Sequence, residues 1–390
     1  MTVSATEQEL TVICPECGAS VYPDDRFCEA CGSDLPVRES AAPDGIDAQP
    51  AQPDADDADG PADPADGSAH DCGGTFHDGW CDTCGMRAPD PRDHVEVDRG
   101  HLAGASDRGL RHHRNEDAMA LAVVGDLAVG IVADGVSATV DPQHASTAAV
   151  TAALESLVQA ATGDGLHEHL GAAMVAAHAR AVAAVTALNW TPRPDLGAPS
   201  CTFLAAVLGT HGPIWMGSLG DCRAYWLADG RARQLTQDDS WAAEEVRAGR
   251  MTMDQADADP RSHVITRWVG EDGDPAWQPD VVRHEPDGPG RLILCSDGLW
   301  NHLADEAALF ALVDPEAAPL AVAVSLAQFA NDAGGDDNVT VVVMDRPPAS
   351  ADLPPDPPAD PPADPPAVPS AVTAAQAGTT SAPPIQEESP

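Results

Sequence analysis

The sequence predicts an α+β domain, because short apolar runs and helical patterns succeed one another irregularly between residues 94 and 346. The order is a strand, two helices, a run of strands, further helices and a final strand. This order favours separate layers of sheet and helix over a regular βαβ repeat. Paired cysteines before residue 85 add small blocks that have almost no apolar core of their own.

Composition divides the chain into successive segments. A first cysteine block spans 12–36, an acidic linker 37–69, a second cysteine block 70–88, the large domain 94–346 and a tail 347–390. The linker is rich in Ala, Asp, Pro and Gly, so it cannot bury enough apolar surface to offset chain entropy. The tail repeats Asp-Pro-Pro-Ala from residues 356, 360 and 364, which is typical of an extended, polyproline-like segment. We predict that both segments are disordered.

The charge of the chain disfavours several classes of partner. All 20 basic residues are arginine, and they are outnumbered by 63 acidic residues, which gives a formal net charge of −43. Such a chain repels polyanions, so nucleic acid and anionic membrane surfaces are poor partners. No apolar run has the roughly 20 residues of a membrane span, and no basic and apolar leader is present. We therefore expect a cytoplasmic protein with no membrane partner.

The first cysteine block has the spacing of a structural zinc site. Two Cys-x-x-Cys pairs, each followed by glycine, are separated by ten residues and supply Cys14, Cys17, Cys28 and Cys31. Four thiolates at this spacing are typical of tetrahedral Zn²⁺, and the block resembles a zinc ribbon. A redox-active pair would need a thioredoxin-like βαβ setting, which this segment lacks.

The second cysteine block is one ligand short of a zinc site. It contains Cys72, Cys81 and Cys84, and both His70 and His77 are available as a fourth ligand. We favour a site of three cysteines with His70. The alternative is a degenerate knuckle that binds no metal.

Apolar patterns assign elements within the large domain. Buried strands are predicted at residues 127–133, 201–208, 213–219, 224–227, 291–295 and 338–344. Helical spacing relates Val150, Leu154, Leu157 and Val158, and likewise Leu170, Met174, Ala181 and Val185. The cysteines in these strands, Cys201, Cys222 and Cys295, are expected to be small buried residues.

Acidic residues recur at the ends of the predicted strands. They are Asp134, Asp221, Asp297 and Asp337, and Glu116-Asp117 forms a further pair after a basic run. Mg²⁺ and Mn²⁺ take oxygen ligands and need only a few carboxylates, so converging strand ends suit them. For any single Asp-Gly pair a turn is the commoner explanation, and only the order and flanking residues of the whole set decide.

These acidic residues lie in motifs that resemble those of the metal-dependent protein phosphatase 2C family. Seven segments follow in the family's order, at residues 106–118, 132–135, 218–223, 235–240, 265–267, 294–300 and 335–340. They include Asn115-Glu116-Asp117-Ala118, Val132-Ala133-Asp134-Gly135, Ser296-Asp297-Gly298 and Asp336-Asp337-Asn338. Each motif alone is weak or moderate, whereas seven in register over residues 94–346 are specific.

The resemblance implies two stacked antiparallel β-sheets flanked by α-helices, with a dinuclear Mg²⁺ or Mn²⁺ centre at one end. Asp134 would bridge the two ions, and the Gly135 carbonyl would contact one of them. Asp297 and Asp337 would complete the other ion's site.

The same resemblance implies supporting roles for the remaining acidic residues. Glu116 would act through water, Asp117 would support the ligands, and Asp221 with Asp297 would hold a third, weaker ion. A metal-bridging hydroxide would attack phosphorus in line, so no protein nucleophile would be needed.

Two places depart from the family pattern. Where the family has a phosphate-binding arginine, this chain has His112, with Arg111 and Arg114 close by. A guanidinium binds phosphate through two parallel hydrogen bonds, which an imidazole cannot do, so Arg111 or Arg114 is expected to bind the phosphate in its place. Residues 136–138 replace a glycine pair, and Val136 cannot donate a proton, so water would protonate the leaving group.

The leading hypothesis is a Mg²⁺- or Mn²⁺-dependent serine/threonine protein phosphatase whose zinc-ribbon modules recruit a partner or substrate. Its implied partners are phosphorylated proteins and a serine/threonine kinase with the same targets. The alternative is a catalytically weak phosphoprotein-binding regulator that uses the domain as a scaffold, which His112 and residues 136–138 favour. A nucleic-acid-binding zinc ribbon is disfavoured by the net charge of −43.

Overall fold

The computed structural model describes residues 12–13, 20–21, 72–77, 80–83, 88–162 and 166–346. The strands are β1 Val12–Ile13, β2 Ser20–Val21, β3 Phe76–His77, β4 Trp80–Cys81, β5 His94–Asp98, β6 Leu102–Asp107, β7 Ala118–Val124, β8 Leu127–Ala133, β9 Ser200–Cys201, β10 Phe203–Gly209, β11 Ile214–Leu219, β12 Arg223–Ala228, β13 Arg231–Gln234, β14 Val269–Gly270, β15 Asp280–His284, β16 Gly290–Cys295 and β17 Val339–Arg346. The helices are α1 Pro142–Ala161, α2 Leu166–Thr186, α3 Trp241–Arg247, α4 Met253–Asp257, α5 Asp297–Trp300, α6 Glu306–Leu312 and α7 Pro319–Ala333.

Several sequence predictions lie outside these described residues. They are the disordered linker at 37–69, the disordered tail at 347–390 and the zinc ligands Cys14, Cys17, Cys28, Cys31, His70 and Cys84. Within the first cysteine block, β1 pairs antiparallel with β2.

Two antiparallel sheets form the centre of the large domain. One has the strand order β15-β11-β10-β8-β7, and the other has the order β13-β12-β16-β17-β6-β5. Their facing surfaces share one apolar cluster, to which β8 contributes Val132, β10 Leu204, β16 Leu292 and β17 Val342. The predicted α+β class is confirmed, and the sheets are stacked as a sandwich.

Helices cover the outer face of each sheet. Met174 of α2 packs with Ile131 of β8 and Phe203 of β10 in one cluster, to which α1 also contributes. Leu326 of α7 packs with Ile293 of β16 in another. Every residue of β8 and β10 is buried, because both faces of these strands are covered. None of the helices in the described ranges is long and apolar enough to cross a bilayer.

Six central strands agree with the predicted apolar runs, whereas β6, which is also buried inside its sheet, was not predicted. Residues 127–133 form β8 as predicted, whereas the predicted strand at 201–208 is interrupted at Thr202. The Thr202 hydroxyl there accepts a hydrogen bond of 2.8 Å from the backbone N–H of Asp134. Strands β5 and β15 were not predicted because they lie at sheet edges and mix apolar with polar residues, whereas β7, also at an edge, was missed although Ala118–Val124 is wholly apolar.

Candidate metal centre

Antiparallel register brings the acidic strand ends together at one end of the sandwich. The end of β8 pairs with the start of β10, which in turn pairs with the end of β11. In the other sheet the end of β16 pairs with the starts of β12 and β17. Asp134 follows β8, Asp221 follows β11, Asp297 follows β16 and Asp337 precedes β17. All four therefore lie at the same end of the two sheets.

Several carboxyl groups at this end of the sandwich lie near one another. Asp134 lies within hydrogen-bonding reach of both Asp117 and Asp297. Burial, followed by the charges of Asp117, Asp297, Asp337 and Asp221, raises the pKa of Asp134 well above its ordinary value. Carboxylates this crowded require either protons or a cation to balance their charge.

Asp117 is buried and is held by a neighbouring strand end. The Ser296 hydroxyl donates a hydrogen bond of 2.6 Å to Asp117 Oδ2. Burial raises the pKa of Asp117 to about 6, despite the lowering effect of this hydrogen bond. In the part of the chain that the structure describes, Asp117 Oδ1 and Asp297 Oδ1 are buried without a hydrogen-bond partner.

Asn338 fixes the loop that carries Glu116. Its Oδ1 accepts a hydrogen bond of 2.8 Å from the Glu116 N–H, and its Nδ2 donates to the carbonyls of Arg108 and Arg114 at 2.7 and 3.0 Å. The Ser137 hydroxyl donates to Glu116 Oε2 at 3.0 Å. The sequence prediction did not include Asn338, although its position after Asp337 in the last motif was available as a signal.

His112 is buried next to the predicted metal ligand Asp337 and is not exposed to solvent. Its side chain is only 6% exposed, and Nε2 is 3.1 Å from Oδ1 of Asp337. Burial lowers the pKa of His112 to about 4, so the imidazole is neutral at physiological pH. The backbone N–H of Asn338 donates to the same Asp337 oxygen at 2.7 Å. His112 is thus placed to orient Asp337.

The two predicted phosphate-binding arginines are more exposed than His112. Arg111 is 33% exposed, and its Nε is 2.8 Å from Asp336 Oδ1. Arg114 is 42% exposed, and its ion pair with Asp141 is longer, at 3.7 Å. The Arg114 guanidinium is therefore held less tightly than that of Arg111.

An aromatic and cationic stack stands beside Asp221. Trp300 Nε1 donates to the Asp221 carbonyl at 3.0 Å, and the Arg223 guanidinium lies 3.5 Å from the centroid of the indole. Asp238 holds Arg223 with hydrogen bonds of 2.7 to 3.1 Å. The His263 ring stacks against Trp300 at a centroid distance of 6.2 Å. The sequence prediction did not assign a role to Arg223 or Asp238.

The residues at this end of the sandwich fit divalent cations that prefer oxygen. A Cβ at Gly135 would lie 2.8 Å from the Glu116 carbonyl oxygen and from the Pro142 side chain, so a side chain there would disturb the site. The buried, unpartnered oxygens of Asp117 and Asp297 are the kind of atom that an ion satisfies. Among the described residues no three His, Cys, Asp or Glu side chains are already grouped tightly enough to hold an ion.

Comparison with known proteins identifies the family. The family model described as Protein phosphatase 2C matches residues 108–330, more than half of the chain. This chain belongs to the protein phosphatase 2C family. A model described as a zinc-ribbon domain matches residues 13–35. Both resemblances seen in the sequence are confirmed.

Relatives in the protein phosphatase 2C family share the catalytic part of this chain. The serine/threonine protein phosphatase PstP of Mycobacterium tuberculosis is 35% identical over 244 residues, which are 62% of this chain. The serine/threonine phosphatase stp of Listeria innocua is 31% identical over 152 residues, which are 39% of this chain. The match spans 44% of the length of the first relative and 59% of the second.

Solved structures confirm the predicted sandwich. The catalytic domain of PstP in complex with two manganese ions is 31% identical, with 63% of this chain and 96% of that chain covered and a TM-score of 0.50. The Streptococcus agalactiae serine/threonine phosphatase has a TM-score of 0.53 at 23% identity, with 62% of this chain and 97% of that chain covered. The second match supports the fold alone.

Proposed function

We propose that this chain is a Mn²⁺- or Mg²⁺-dependent phosphatase that removes phosphate from phosphoserine and phosphothreonine on other proteins. The supporting observation is the convergence of Asp134, Asp117 and Asp297 at one end of a protein phosphatase 2C fold. The substrate class is taken from the relatives, which are named serine/threonine phosphatases.

The proposed ligands are the acidic residues that the strand ends bring together. Asp134, the Gly135 carbonyl, Asp297 and Asp337 would hold the two ions, with Asp134 shared between them. Glu116, whose position is fixed by Asn338, would act through water. Two bound divalent cations would supply the positive charge and the activated water that phosphate-ester hydrolysis needs.

Other residues support these ligands. Asp117 accepts a hydrogen bond from Ser296 and keeps Asp134 in place. Asp221, whose carbonyl accepts a hydrogen bond from Trp300, would hold a third and weaker ion together with Asp297. Val136 has no proton to give, so water protonates the leaving seryl or threonyl oxygen.

Arg114 is the proposed phosphate ligand, with Arg111 as the second candidate. Arg114 is 42% exposed and its ion pair is long, so its guanidinium can turn to a phosphate at little cost. Arg111 is already bound to Asp336 at 2.8 Å. His112 is buried against Asp337, and we assign to it the orientation of that ligand.

The test is phosphate release from a phosphothreonine peptide by the Mn²⁺-loaded full chain, with and without EDTA. EDTA should abolish release. Asp134→Asn should lower kcat/KM by roughly 10³-fold, which corresponds to about 4 kcal/mol of transition-state stabilisation. Asp229→Asn is the matched control, because Asp229 is an exposed residue between β12 and β13. Its activity should equal that of the wild type.

The alternative function is that of a catalytically weak regulator that binds phosphoproteins. The observation that favours it is the buried His112 at the position of the family's phosphate-binding arginine. Tight binding of the phosphopeptide without turnover would support this alternative. Failure of EDTA to change the rate, or full activity in Asp134→Asn, would contradict the proposed phosphatase.

We assign the recruitment of a partner or substrate to the zinc-ribbon modules. The family-model match at residues 13–35 supports a binding module that is distinct from the catalytic domain. Its proposed partners are a serine/threonine kinase in the cytoplasm and the proteins which that kinase phosphorylates. Replacing Cys14 with Ser should raise KM for a phosphoprotein target and leave KM for a small phosphate ester unchanged.

A further inference from the structure

A small hairpin before the catalytic domain holds two cysteines together. Strands β3 and β4 pair antiparallel, with Phe76 opposite Cys81 and His77 opposite Trp80. The sulfur atoms of Cys72 and Cys81 are 3.4 Å apart. The zinc-ribbon family model matches residues 13–35 and does not reach this hairpin. We propose that the hairpin carries a second structural zinc site of its own.

The separation of the two sulfurs suits a shared tetrahedral ion. With Zn–S bonds of about 2.3 Å, two thiolates on one zinc lie roughly 3.8 Å apart. A disulfide instead needs sulfurs about 2.05 Å apart. The observed 3.4 Å between Cys72 and Cys81 is close to the spacing on zinc.

The turn around Cys72 is built against the sulfur of Cys81. A Cβ at Gly74 would lie 2.6 Å from Cys81 Sγ, so only glycine lets the backbone approach this closely. Hydrogen bonds in both directions close the turn: Thr75 N–H donates to Asp82 Oδ1 at 2.9 Å, and Asp82 N–H donates to the Thr75 carbonyl at 3.0 Å. The backbone therefore holds the turn that follows Cys72 close to the Cys81 thiol.

The hairpin needs an additional stabilising element. Among the described residues of this segment, the buried apolar cluster consists of Phe76, Cys81 and Ala88. So small a cluster contributes little against chain entropy, and domains of this size are generally held by metals or disulfides. A zinc ion on thiolates would provide this stabilisation.

The geometry of the hairpin argues against His77, one of the two histidines available as the fourth ligand. Successive side chains of a strand point to opposite faces, so His77 lies on the face opposite Phe76 and its partner Cys81. The His77 side chain is 59% exposed, and its Nε2 is 2.9 Å from Thr75 Oγ1. His77 is thus directed away from the thiols. Cys84 and His70 lie outside the described residues, and we assign them as the remaining ligands from the sequence, in which Cys84 forms a Cys-x-x-Cys pair with Cys81.

The experiment measures tightly bound zinc in the full chain in excess Mn²⁺, which occupies the carboxylate centre. We expect two zinc ions per chain in the wild type. Cys72→Ser and Cys14→Ser should each retain one, and the double variant should retain none. His77→Ala is the matched control and should retain two, whereas His70→Ala should retain one. Cobalt substitution of Cys14→Ser should give the absorption of a three-thiolate, one-imidazole site.

Other outcomes would overturn the proposal. One zinc in the wild type with no loss in Cys72→Ser would show that the hairpin binds no metal. A mass two hydrogens lower, with Cys72 joined to Cys81 in a nonreducing peptide map, would show a disulfide instead. Loss of one zinc in His77→Ala would overturn the choice of ligand. Phosphate release is measured on the same samples, so failure of the zinc site can be distinguished from failure of the catalytic proposal.

Discussion

His112 has a different environment from the one that its sequence position suggests. Its place in the first motif made it a candidate for phosphate binding, together with Arg111 and Arg114. In the fold it is buried, with Nε2 3.1 Å from Asp337 Oδ1. A residue that orients a metal ligand acts on the affinity for the ion rather than on the affinity for phosphate.

Replacing His112 with leucine should therefore weaken metal binding. Loss of a partner that orients a ligand typically lowers metal affinity by roughly 10–100-fold. Leucine keeps the packing volume but has no donor for Asp337, whereas His112→Gln keeps a donor at similar reach. Calorimetric titration with Mn²⁺ should give a much weaker Kd for the leucine variant and a value near that of the wild type for the glutamine variant.

The matched control for this titration is His211→Leu, because His211 is exposed in the loop between β10 and β11. Wild-type Mn²⁺ affinity in His112→Leu, combined with a raised KM for the phosphopeptide, would instead identify His112 as a phosphate ligand.

Single residues also show where sequence reasoning ends. The acidic residues could be predicted, because their order and flanking residues were visible in the chain. The Ser296 hydroxyl that holds Asp117 could not, because the two residues are 179 positions apart and meet only through folding. The same holds for Asn338 and Glu116, which are 222 positions apart. The sequence around a polar residue at a strand end does not show which distant residue its side chain will contact.

At the scale of whole elements, a run of large apolar residues marked most of the strands that could be predicted, whereas the buried strand β6, which consists mostly of small residues, was missed. Strands β8 and β16 lie inside their sheets and show apolar runs that mark their positions. Strand β5 alternates between exposed and partly buried residues at a sheet edge, so its pattern has little apolar signal. Short helices such as α3 and α4 are capped by Ser240 and Thr252, which are local signals that an apolar pattern does not include.

Helix α2 contains a buried histidine that should make stability depend on pH. His178 is 4% exposed, its ring lies edge-on to Phe203, and burial lowers its pKa to about 4. The unfolded chain, with an ordinary histidine pKa of about 6.5, binds a proton between pH 6.5 and 4 that the folded state does not bind. Stability is therefore lost as the pH falls through this window.

In His178→Leu this loss should be smaller. Between pH 7.5 and 5.0 the unfolding free energy of the variant should fall by about 2 kcal/mol less than that of the wild type. Urea denaturation at the two pH values measures the difference. His169→Leu, at an exposed position of the same helix, should show the wild-type loss. Equal losses in wild type and His178→Leu would show that the pKa of His178 is the same in the folded and unfolded states.

At the scale of the whole molecule, the acidic centre and the net charge of −43 both lower the stability of the metal-free protein as the pH rises. Burial raises the pKa of Asp117 to about 6, above its ordinary value of 3.8. Between these pH values the metal-free folded state holds a proton that the unfolded state has lost. The sign is opposite to that of His178: this contribution is present at low pH and is lost as the pH rises through about 6.

Bound Mn²⁺ replaces those protons, so the stabilisation by Mn²⁺ should grow with pH. We expect a larger rise in Tm on adding Mn²⁺ at pH 7.5 than at pH 5.0. In metal-free protein, Asp117→Asn should be more stable than the wild type at pH 7.5, and this advantage should shrink by about 1 kcal/mol at pH 5.0. Scanning calorimetry with and without EDTA measures both quantities. A metal-free Asp117→Asn protein that is less stable than the wild type at pH 7.5 would mean that hydrogen bonds to the carboxylate, and not charge repulsion, dominate at this end of the sandwich.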